Sequence, residues 1–264
     1  MSAPTAESLE EDLRPLTQDP PRAGVFCDID GTLAPIVERA DQAHVPEEVS
    51  RLLGRLGRRY GCVACVSGRS AAEARRLVGV GSIAYAGSHG AELLEPGSSQ
   101  PRVAPDFKGW EGRVRRFSAG HDTTELRLLR VRIEDKGPIT AFHWRGAPDE
   151  HAARAHLEDI AERAEQAGLA THWGRKVLEI RPPVPIGKGQ AVRELVSRSG
   201  VRTAMFGGDD VTDLDAFAAL GEVESPVRVG VRSDEGPPEI VEQADLVVDG
   251  VEGVQRVLAE LDAT

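Results

Sequence analysis

The sequence contains little cysteine and no long hydrophobic run. Its 264 residues include only three cysteines. Such a small and odd number, in a chain of this length, cannot form the disulfide framework of a small secreted domain. No apolar run approaches the roughly 20 residues that a membrane-spanning helix needs. These absences exclude a disulfide scaffold and argue against a membrane protein.

Two of the cysteines, Cys62 and Cys65, have the C-x-x-C spacing that is found in zinc and redox sites. They lie in an apolar run typical of a strand, where side chains three positions apart face opposite sides. The sequence offers no second cysteine pair to complete a zinc site. We therefore expect both to be buried as small hydrophobic side chains.

The N-terminal segment lacks the basic start and the apolar stretch of a signal peptide. This absence predicts a cytoplasmic location. Because the segment is polar and contains proline, we expect residues 1–22 to form a loose tail. Its acidic side chains are Glu7, Glu10, Glu11, Asp12 and Asp19.

Acidic residues outnumber basic ones by 43 to 32, which gives a formal net charge of −11. Nucleic acids and anionic membranes repel such a surface, so we expect neither as a partner. Residues 104–181 hold 14 basic and 13 acidic side chains, whereas the rest of the chain holds 18 basic and 30 acidic ones. The acidic surplus therefore lies outside a nearly neutral middle segment, which can supply Lys and Arg to a small anionic molecule.

Strand and helix patterns alternate on both sides of that middle segment. Short apolar runs bounded by turn residues predict strands, and apolar residues at helical spacing predict helices. Strand–helix alternation with short connections indicates parallel βαβ units, and hence an α/β fold with a doubly wound, Rossmann-like core. The predicted strands are 24–29, 62–66, 83–86, 202–206, 227–231 and 246–248, and the predicted helices are 49–56, 71–78, 188–199, 212–220 and 251–261.

The middle segment has a different pattern, typical of a small α+β unit. Its elements are a strand at 126–134, a turn at 135–138, a strand at 139–144, a helix at 153–164 and a strand at 176–180. Proline-rich stretches that suit linkers flank it. We predict a tail at 1–22, a first core part at 23–103, an inserted cap domain at 104–181 and a second core part at 182–264.

Two aspartates follow the first predicted strand. Asp28 and Asp30 lie in the sequence F-C-D-I-D-G-T-L, where a glycine turn begins. Ligands of such sheets bind beyond the carboxyl ends of the strands. A carboxylate pair there can bind Mg²⁺, supply a nucleophile, or act as acid and base. An Asx-turn or a helix cap explains the pair equally well.

Three further motifs lie at strand ends or helix starts. Residues 206–215, F-G-G-D-D-V-T-D-L-D, contain four aspartates, more than the helix dipole alone favours, which suggests a cation. Lys188, in I-G-K-G-Q, lies where a cation opposes the helix dipole unless an anionic ligand is present. Ser67, in V-S-G-R, by itself marks only the entry to a helix.

Taken together, D-x-D-G-T, S-G-R, K-G and G-D-D-x-x-D, in this order, resemble the haloacid dehalogenase superfamily of phosphohydrolases. Other segments resemble its trehalose-6-phosphate phosphatase family, and the similarity runs from about Ala23 to the C-terminus. Leu214 stands where that family usually has an acid, with little consequence expected, since this side chain should lie outside the metal shell. The segments are Gly87–Glu92, Glu134–Gly137, His143–Arg145, Val177–Pro182 and Gly208–Asp213.

The resemblance implies roles for the core residues. Asp28 would be the nucleophile that forms an aspartyl-phosphate, and Asp30 would be the acid and base. Asp28, the backbone carbonyl of Asp30, and Asp209 would hold Mg²⁺. The other implied positions are Ser67 and Lys188, which would hold phosphoryl oxygens, and Asp210 and Asp213, which would orient the water around the metal.

The resemblance also implies that the inserted unit is a cap that closes over the substrate. In the family, polar residues of this unit contact the glucose units. Ion pairs across a small sheet are the alternative explanation. The matching positions are Glu134, Lys136, Arg145, Lys176 and Glu179, and three family positions with open roles are His89, Glu92 and His143.

We therefore expect a monomeric, Mg²⁺-dependent phosphatase that releases trehalose from trehalose 6-phosphate. The alternative within the same chemistry is another sugar phosphate: sucrose phosphate, a phosphoglycerate-linked sugar or a pseudo-disaccharide phosphate. A phosphosugar mutase on the same fold and a non-catalytic sensor of sugar phosphates are alternatives from other classes. The presence of every implied core residue argues against the sensor.

Overall fold

The computed structural model describes residues 6–37, 42–174, 176–233 and 236–264. The chain divides into two compact units. The first combines Met1–Arg102 with Ile186–Thr264, and the second is Val103–Pro185. An insertion into one unit therefore accounts for the length of the chain.

Strands and helices alternate along most of the first unit, whereas the second unit combines helices with an antiparallel sheet. The strands are β1 Ala23–Cys27, β2 Cys62–Val66, β3 Ala84–Gly87, β4 Glu92–Leu94, β5 Arg102–Val103, β6 Arg132–Asp135, β7 Thr140–His143, β8 Ala170–Gly174, β9 Val177–Arg181, β10 Thr203–Gly208, β11 Ser225–Arg232 and β12 Leu246–Asp249. The helices are α1 Ala6–Thr17, α2 Glu47–Leu56, α3 Ala71–Val78, α4 Trp110–Gly120, α5 Thr124–Leu128, α6 Glu150–Gln166, α7 Lys188–Ser199, α8 Val211–Leu220, α9 Pro238–Gln243 and α10 Gly250–Ala263. No helix in these ranges is both long and apolar enough to cross a membrane.

The main sheet has the strand order β12-β11-β10-β1-β2-β3-β4-β5. The pairs from β12 to β3 are parallel, and β4 runs antiparallel to β3. The chain moves outward from β1 in one direction up to β5 and later in the other direction from β10 to β12, so the strand order reverses between β1 and β10. This reversal is where open α/β sheets bind their ligands. The predicted doubly wound α/β fold is confirmed.

Both faces of the sheet are covered. Val25 and Cys27 enter one buried cluster, whereas Phe26 enters another, as alternation along a strand requires. Cys65 lies in the first of these clusters and Cys62 packs against the second. Both thiols are free, and burial raises the pKa of Cys62 to about 11. The prediction of burial is confirmed for Cys65, whereas Cys62 packs against the core while only partly buried.

Local sequence signals set the ends of two helices as expected. Ser70 accepts a hydrogen bond from the backbone of Glu73, and Glu73 reaches back to the N–H of Ser70, so α3 begins with a capping box. Gly200 ends α7 in the left-handed conformation with φ of 70°. The helices 71–78 and 188–199 were therefore predicted with their observed bounds.

The prediction of a loose tail at residues 1–22 is wrong from Ala6 onward, and residues 1–5 lie outside the described residues. Residues 6–17 form α1, and Leu9, Leu13 and Leu16 are buried in the main core. Their spacing of four and three places them on one face of a helix. Burying one leucine side chain contributes about 1.5–3 kcal/mol. Three buried leucines therefore stabilise the helix although the rest of the segment is polar and Pro15 lies inside it.

The second unit contains a four-stranded antiparallel sheet with the order β6-β7-β9-β8. The predicted strand at 126–134 is wrong in its first half, because α5 occupies this region and the strand β6 begins only at Arg132. Thr123 caps α5 by accepting a hydrogen bond from the N–H of Leu126, which is buried. The predicted turn is confirmed: Asp135 accepts a hydrogen bond of 2.8 Å from the N–H of Gly137.

Candidate active site

Asp28 follows directly after β1, at the carboxyl edge of the sheet. Its N–H donates to the carbonyl oxygen of Gly207 at 2.8 Å, so the ends of β1 and β10 lie side by side. Gly31 has a φ of 93°, and a Cβ there would lie 2.0 Å from an oxygen of Asp209. The glycine of the D-x-D-G turn therefore lets Asp209 come close to the turn that carries Asp28.

Lys188 lies between two buried carboxylates. Its Nζ is 2.9 Å from Oδ1 of Asp28 and 2.6 Å from Oδ1 of Asp213. A Cβ at Gly189 would lie 2.5 Å from the carbonyl oxygen of Asp215, so the glycine allows α7 to pack closely on α8. Burial opposes the charge of Lys188, but Asp213 and Asp28 outweigh it and raise the pKa of the ammonium group.

Asp213 anchors the cluster. Its Oδ2 accepts the backbone N–H groups of Asp209 and Asp210, both at 3.0 Å, while Oδ1 accepts Lys188. Because both oxygens already have donors, Asp213 holds its neighbours in place. Asp210 caps α8 from its N-terminus, and Asp215 is exposed. The four aspartates of the motif therefore separate into different roles.

Two carboxylate oxygens of the cluster lack donors in the described part of the chain. They are Oδ2 of Asp28 and Oδ2 of Asp209, whereas Oδ1 of Asp209 accepts Thr32 Oγ1 at 3.0 Å. One oxygen each from Asp28, Asp209 and Asp213 lies within 4.8 Å of the others. Burial, followed by repulsion from Asp213, raises the pKa of Asp209 to about 7, and burial also raises the pKa of Asp28. Hard oxygen donors with excess negative charge suit a divalent cation such as Mg²⁺.

Asp30 points to a different partner. The Nε of Arg69 is 2.7 Å from its Oδ2, and Nη2 is 2.6 Å from its Oδ1, which forms a bidentate ion pair. Ser67 is almost fully buried and its Oγ accepts the N–H of Arg69 at 3.2 Å. The sequence predicted Asp30 and Ser67 but missed Arg69, although the S-G-R motif contains it.

Three of the five residues that were predicted to contact the sugar lie close together in the second unit. Glu134, Ala141 and Glu179 form one row across β6, β7 and β9, so their side chains share a sheet face. Lys136 Nζ lies 3.3 Å from Oε1 of Glu179. Glu134 is 2.7 Å from Nε2 of His143, and this hydrogen bond lowers the pKa of Glu134 to about 2.

The other two predicted residues lie apart from this row. Lys176 forms a 2.7 Å ion pair with Glu150, and its hydrogen bond is the main cause that lowers the pKa of this glutamate. Arg145 is exposed and adds to this lowering. The sequence missed Glu150 and also Arg181, whose Nε donates to Glu179 at 2.9 Å. Glu150 lies at the start of the predicted helix, and Arg181 ends the strand that carries Glu179.

His89 and Glu92, whose roles the sequence left undecided, lie next to the S-G-R turn. Glu92 is buried, and its Oε2 accepts the N–H of Ala71 at 3.1 Å. A Cβ at Gly68 would lie 2.8 Å from the ring of His89. Leu214 packs against the hydrophobic core, away from the acidic cluster, as expected.

An open parallel sheet with an inserted unit, and with carboxylates and a lysine buried at its carboxyl edge, defines the haloacid dehalogenase fold. The sequence model described as trehalose-phosphatase matches residues 26–250. The trehalose-phosphate phosphatase of Mycobacterium avium is 35% identical over 224 residues, 80% of this chain and 55% of that protein. The probable trehalose-phosphate phosphatase of Sinorhizobium fredii is 30% identical over 267 residues, 99% of this chain and 96% of that protein.

The solved structures agree with this comparison. A trehalose-6-phosphate phosphatase related protein matches with a TM-score of 0.71 and 25% identity, over 91% of this chain and 97% of that one. The chain belongs to the trehalose-phosphatase family. It spans about half the length of several curated relatives that it matches, such as 55% of the Mycobacterium avium protein.

Proposed function

We propose that this chain is a phosphatase that hydrolyses trehalose 6-phosphate to trehalose and inorganic phosphate. The observation that carries the proposal is the buried carboxylate–lysine cluster at the switch point of the sheet, in a chain of the trehalose-phosphatase family. A buried carboxylate with one oxygen held by Lys188 has its other oxygen available for chemistry. A site of this kind favours phosphoryl transfer, which depends on positioning and charge neutralisation.

Asp28 is the nucleophile of this proposal. Its free oxygen attacks phosphorus, the bond from phosphorus to the sugar oxygen breaks, and Asp30 gives a proton to the leaving oxygen. Asp30 then takes a proton from water, which attacks the aspartyl-phosphate, and the carboxylate of Asp28 is restored with release of phosphate. Ser67 and Lys188 hold phosphoryl oxygens in both steps.

The donor set of the cluster fits Mg²⁺. Asp28, Asp209 and the backbone carbonyl of Asp30 would hold it, and when bound it neutralises the charge between carboxylate and phosphate. Asp213 supports this arrangement by fixing Lys188 and the backbone of Asp209. Asp210 supports it from the cap of α8.

The polar residues of the second unit would recognise the sugar. Charged side chains that are already held by partners lose little freedom on binding hydroxyl groups. Glu179, held by Lys136 and Arg181, has this property. The full proposed set is Glu134, Lys136, Arg145, Lys176 and Glu179.

Phosphate release from trehalose 6-phosphate, measured with Mg²⁺ and again after chelation by EDTA, tests the function. We expect turnover that requires Mg²⁺ and falls by roughly 10³-fold or more in Asp28→Asn. Asp215→Asn is the matched control, because this exposed aspartate lies on α8 outside the cluster. Undiminished release by a folded Asp28→Asn protein would exclude Asp28 as the nucleophile.

A panel of substrates tests the choice of sugar. Faster turnover of sucrose phosphate, a phosphoglycerate-linked sugar or a pseudo-disaccharide phosphate would replace trehalose 6-phosphate as the substrate. A requirement for a bisphosphate activator would instead indicate a mutase.

We further propose that the protein acts as a cytoplasmic monomer on this small molecule, without nucleic acid or membrane partners. The net charge of −11 supports this, because it opposes association with polyanions. Light scattering of the purified chain tests the monomer, since a dimer would double the measured mass.

A further inference from the structure

Arg69 holds both oxygens of Asp30, the residue proposed to protonate the leaving group. The two nitrogen–oxygen distances are 2.7 and 2.6 Å, and the pair joins residues 39 positions apart. The Arg69 side chain is 19% exposed and that of Asp30 38%, so the pair is partly shielded from water. A planar bidentate pair fixes the orientation of a carboxylate, which a single hydrogen bond does not.

The bidentate pair with Arg69 leaves the carboxylate of Asp30 able to react. Each carboxylate oxygen offers two acceptor directions, and the guanidinium occupies one on each. The remaining directions face away from Arg69. Arg69 therefore restricts the rotation of the carboxylate without blocking its access to a proton or to a leaving oxygen.

The backbone of Arg69 is itself held in place. Its N–H donates to Ser67 Oγ at 3.2 Å, and its carbonyl oxygen accepts the N–H of Ser88 at 2.7 Å. Ser88 Oγ donates to Oε1 of Glu92 at 3.2 Å, and Oε2 of Glu92 holds the start of α3. A continuous set of contacts thus joins Glu92, Ser88, Arg69 and Asp30.

The turn that supports Arg69 adopts an unfavourable backbone conformation. Ser88 and His89 have φ values of 49° and 56°, in the left-handed region that favours glycine. Such strain costs of order 1 kcal/mol or more per residue and persists where the surrounding structure enforces it, often at functional sites. Here it directs the N–H groups of both residues to the S-G-R turn, at Arg69 and Ser67.

We propose that Arg69 is a positioning residue that orients Asp30 for its acid–base step, with Ser88 and Glu92 holding Arg69. This inference rests on the proposed function, because it assigns Asp30 the proton transfer. It predicts that Arg69 matters most when the leaving group needs a proton. The sugar oxygen of trehalose 6-phosphate needs one, whereas p-nitrophenolate leaves without one.

The test compares kcat for these two substrates in Arg69→Met. We expect kcat for trehalose 6-phosphate to fall roughly tenfold or more, because a displaced catalytic group loses near-attack geometry. The kcat for p-nitrophenyl phosphate and the KM for trehalose 6-phosphate should change by less than about threefold. Arg69→Lys keeps the charge but lacks the two parallel N–H donors of the guanidinium, so its kcat should lie between those of Arg69→Met and the wild type.

A double-mutant cycle shows whether Arg69 acts through Asp30. In an Asp30→Asn background, Arg69→Met should add no further loss, because the group that it positions is already gone. Arg55→Met is the matched control: its Nε lies 2.7 Å from Asp262, in a pair outside the cluster, and both activities should stay at the wild-type level. Glu92→Gln should give the same selective loss as Arg69→Met, in smaller measure.

Two results would overturn the inference. Equal losses on both substrates with a raised KM would show that Arg69 binds the phosphoryl group, and additive losses in the cycle would show that it acts independently of Asp30. If Arg69→Met fails to fold in a thermal melt, Arg69→Lys and Glu92→Gln provide the same comparison. Absence of phosphate release by the wild-type protein would instead refute the proposed function.

Discussion

At the scale of single residues, the site is a balance of buried charges. Lys188 compensates Asp28 and Asp213, and three backbone and side-chain donors hold Asp213. Asp209 has only the hydroxyl of Thr32 as a direct donor in the described ranges. We therefore expect Asp209 to be the carboxylate whose charge a cation would stabilise most.

The raised pKa of Asp209 predicts that cation binding at this cluster depends on pH. Its pKa is raised to about 7, above the unfolded value, so the folded protein holds this proton more tightly than the unfolded chain. The contribution of this group to stability therefore decreases as pH rises from the unfolded pKa to about 7, and a cation that replaces the proton restores it. Below pH 7, protons compete with Mg²⁺, and its affinity should fall by up to about tenfold per pH unit.

The measurement is the Mg²⁺ concentration that half-saturates the increase in melting temperature, at pH 8 and at pH 6. We expect weaker binding at pH 6. Asp209→Asn should remove most of the binding and weaken its pH dependence, to which Asp28 still contributes. The neighbouring Asp210→Asn should retain the wild-type pH dependence. Equal affinities at both pH values in the wild type would contradict the prediction.

At the scale of secondary-structure elements, close packing between helices sets the positions of these residues. Gly189 allows α7 to lie against the backbone of α8 at Asp215, and this contact brings Lys188 within reach of Asp213. In the same unit, α1 packs against β10, β11 and α10 with a stripe of leucines. The Gly189 contact and the leucine stripe both depend on steric fit, since neither glycine nor leucine carries a charge.

Gly189→Ala should separate α7 from α8. A Cβ placed 2.5 Å from a backbone oxygen forces the helices apart, and such overpacking typically costs about 1–3 kcal/mol of unfolding free energy. Urea denaturation measures this loss. The matched control is Gly112→Ala in α4, where a Cβ meets nothing within 4 Å, and the higher helix propensity of alanine should leave stability unchanged or raised. A neutral Gly189→Ala would refute the close-contact explanation.

Leu13→Ala tests whether α1 belongs to the core. Leu13 is fully buried, so its truncation should lower the free energy of unfolding by about 2–5 kcal/mol. Leu128→Ala provides the comparison, because Leu128 is 77% exposed and should change stability by less than about 0.5 kcal/mol. Similar urea midpoints for the two variants would mean that α1 contributes nothing to the stability of the first unit.

At the scale of the whole molecule, charge and chemistry are divided between the two units. Residues 104–181 are nearly neutral, with 14 basic and 13 acidic side chains, and the remaining chain carries the acidic surplus. The carboxylate–lysine cluster belongs to the first unit, and the row of Glu134 and Glu179 belongs to the second. This division predicts that substitutions in the second unit change sugar selectivity and leave phosphoryl transfer intact.

Glu179→Gln tests this division of labour. Because Glu179 is buried and holds Lys136 and Arg181, its loss should raise KM for trehalose 6-phosphate roughly tenfold or more, the cost of a charged hydrogen bond. Hydrolysis of p-nitrophenyl phosphate, which has no sugar, should be unaffected. Glu158→Gln, which breaks a surface ion pair on α6, is the control for both substrates. A parallel loss of both activities would refute the division.

Local patterns were enough to predict much of this architecture. The capping box at Ser70 and the terminal glycine of α7 depend on residues a few positions away, so the sequence displays them directly. The same holds for the glycine turn after Asp28. The errors arose where packing overrides local polarity, as in α1, or where a capped short helix precedes a strand, as in α5.

The sequence by itself determined the alternation of strands and helices and the ends of several helices. It also determined that Asp28, Ser67 and Asp209 follow strands and that Lys188 begins a helix. Only the tertiary structure decided which of these groups meet. Lys188 contacts carboxylates from two other segments, and Arg69 contacts Asp30 from the neighbouring strand end. Such contacts depend on strand order and helix packing, which bring distant segments together and leave no local pattern in the chain.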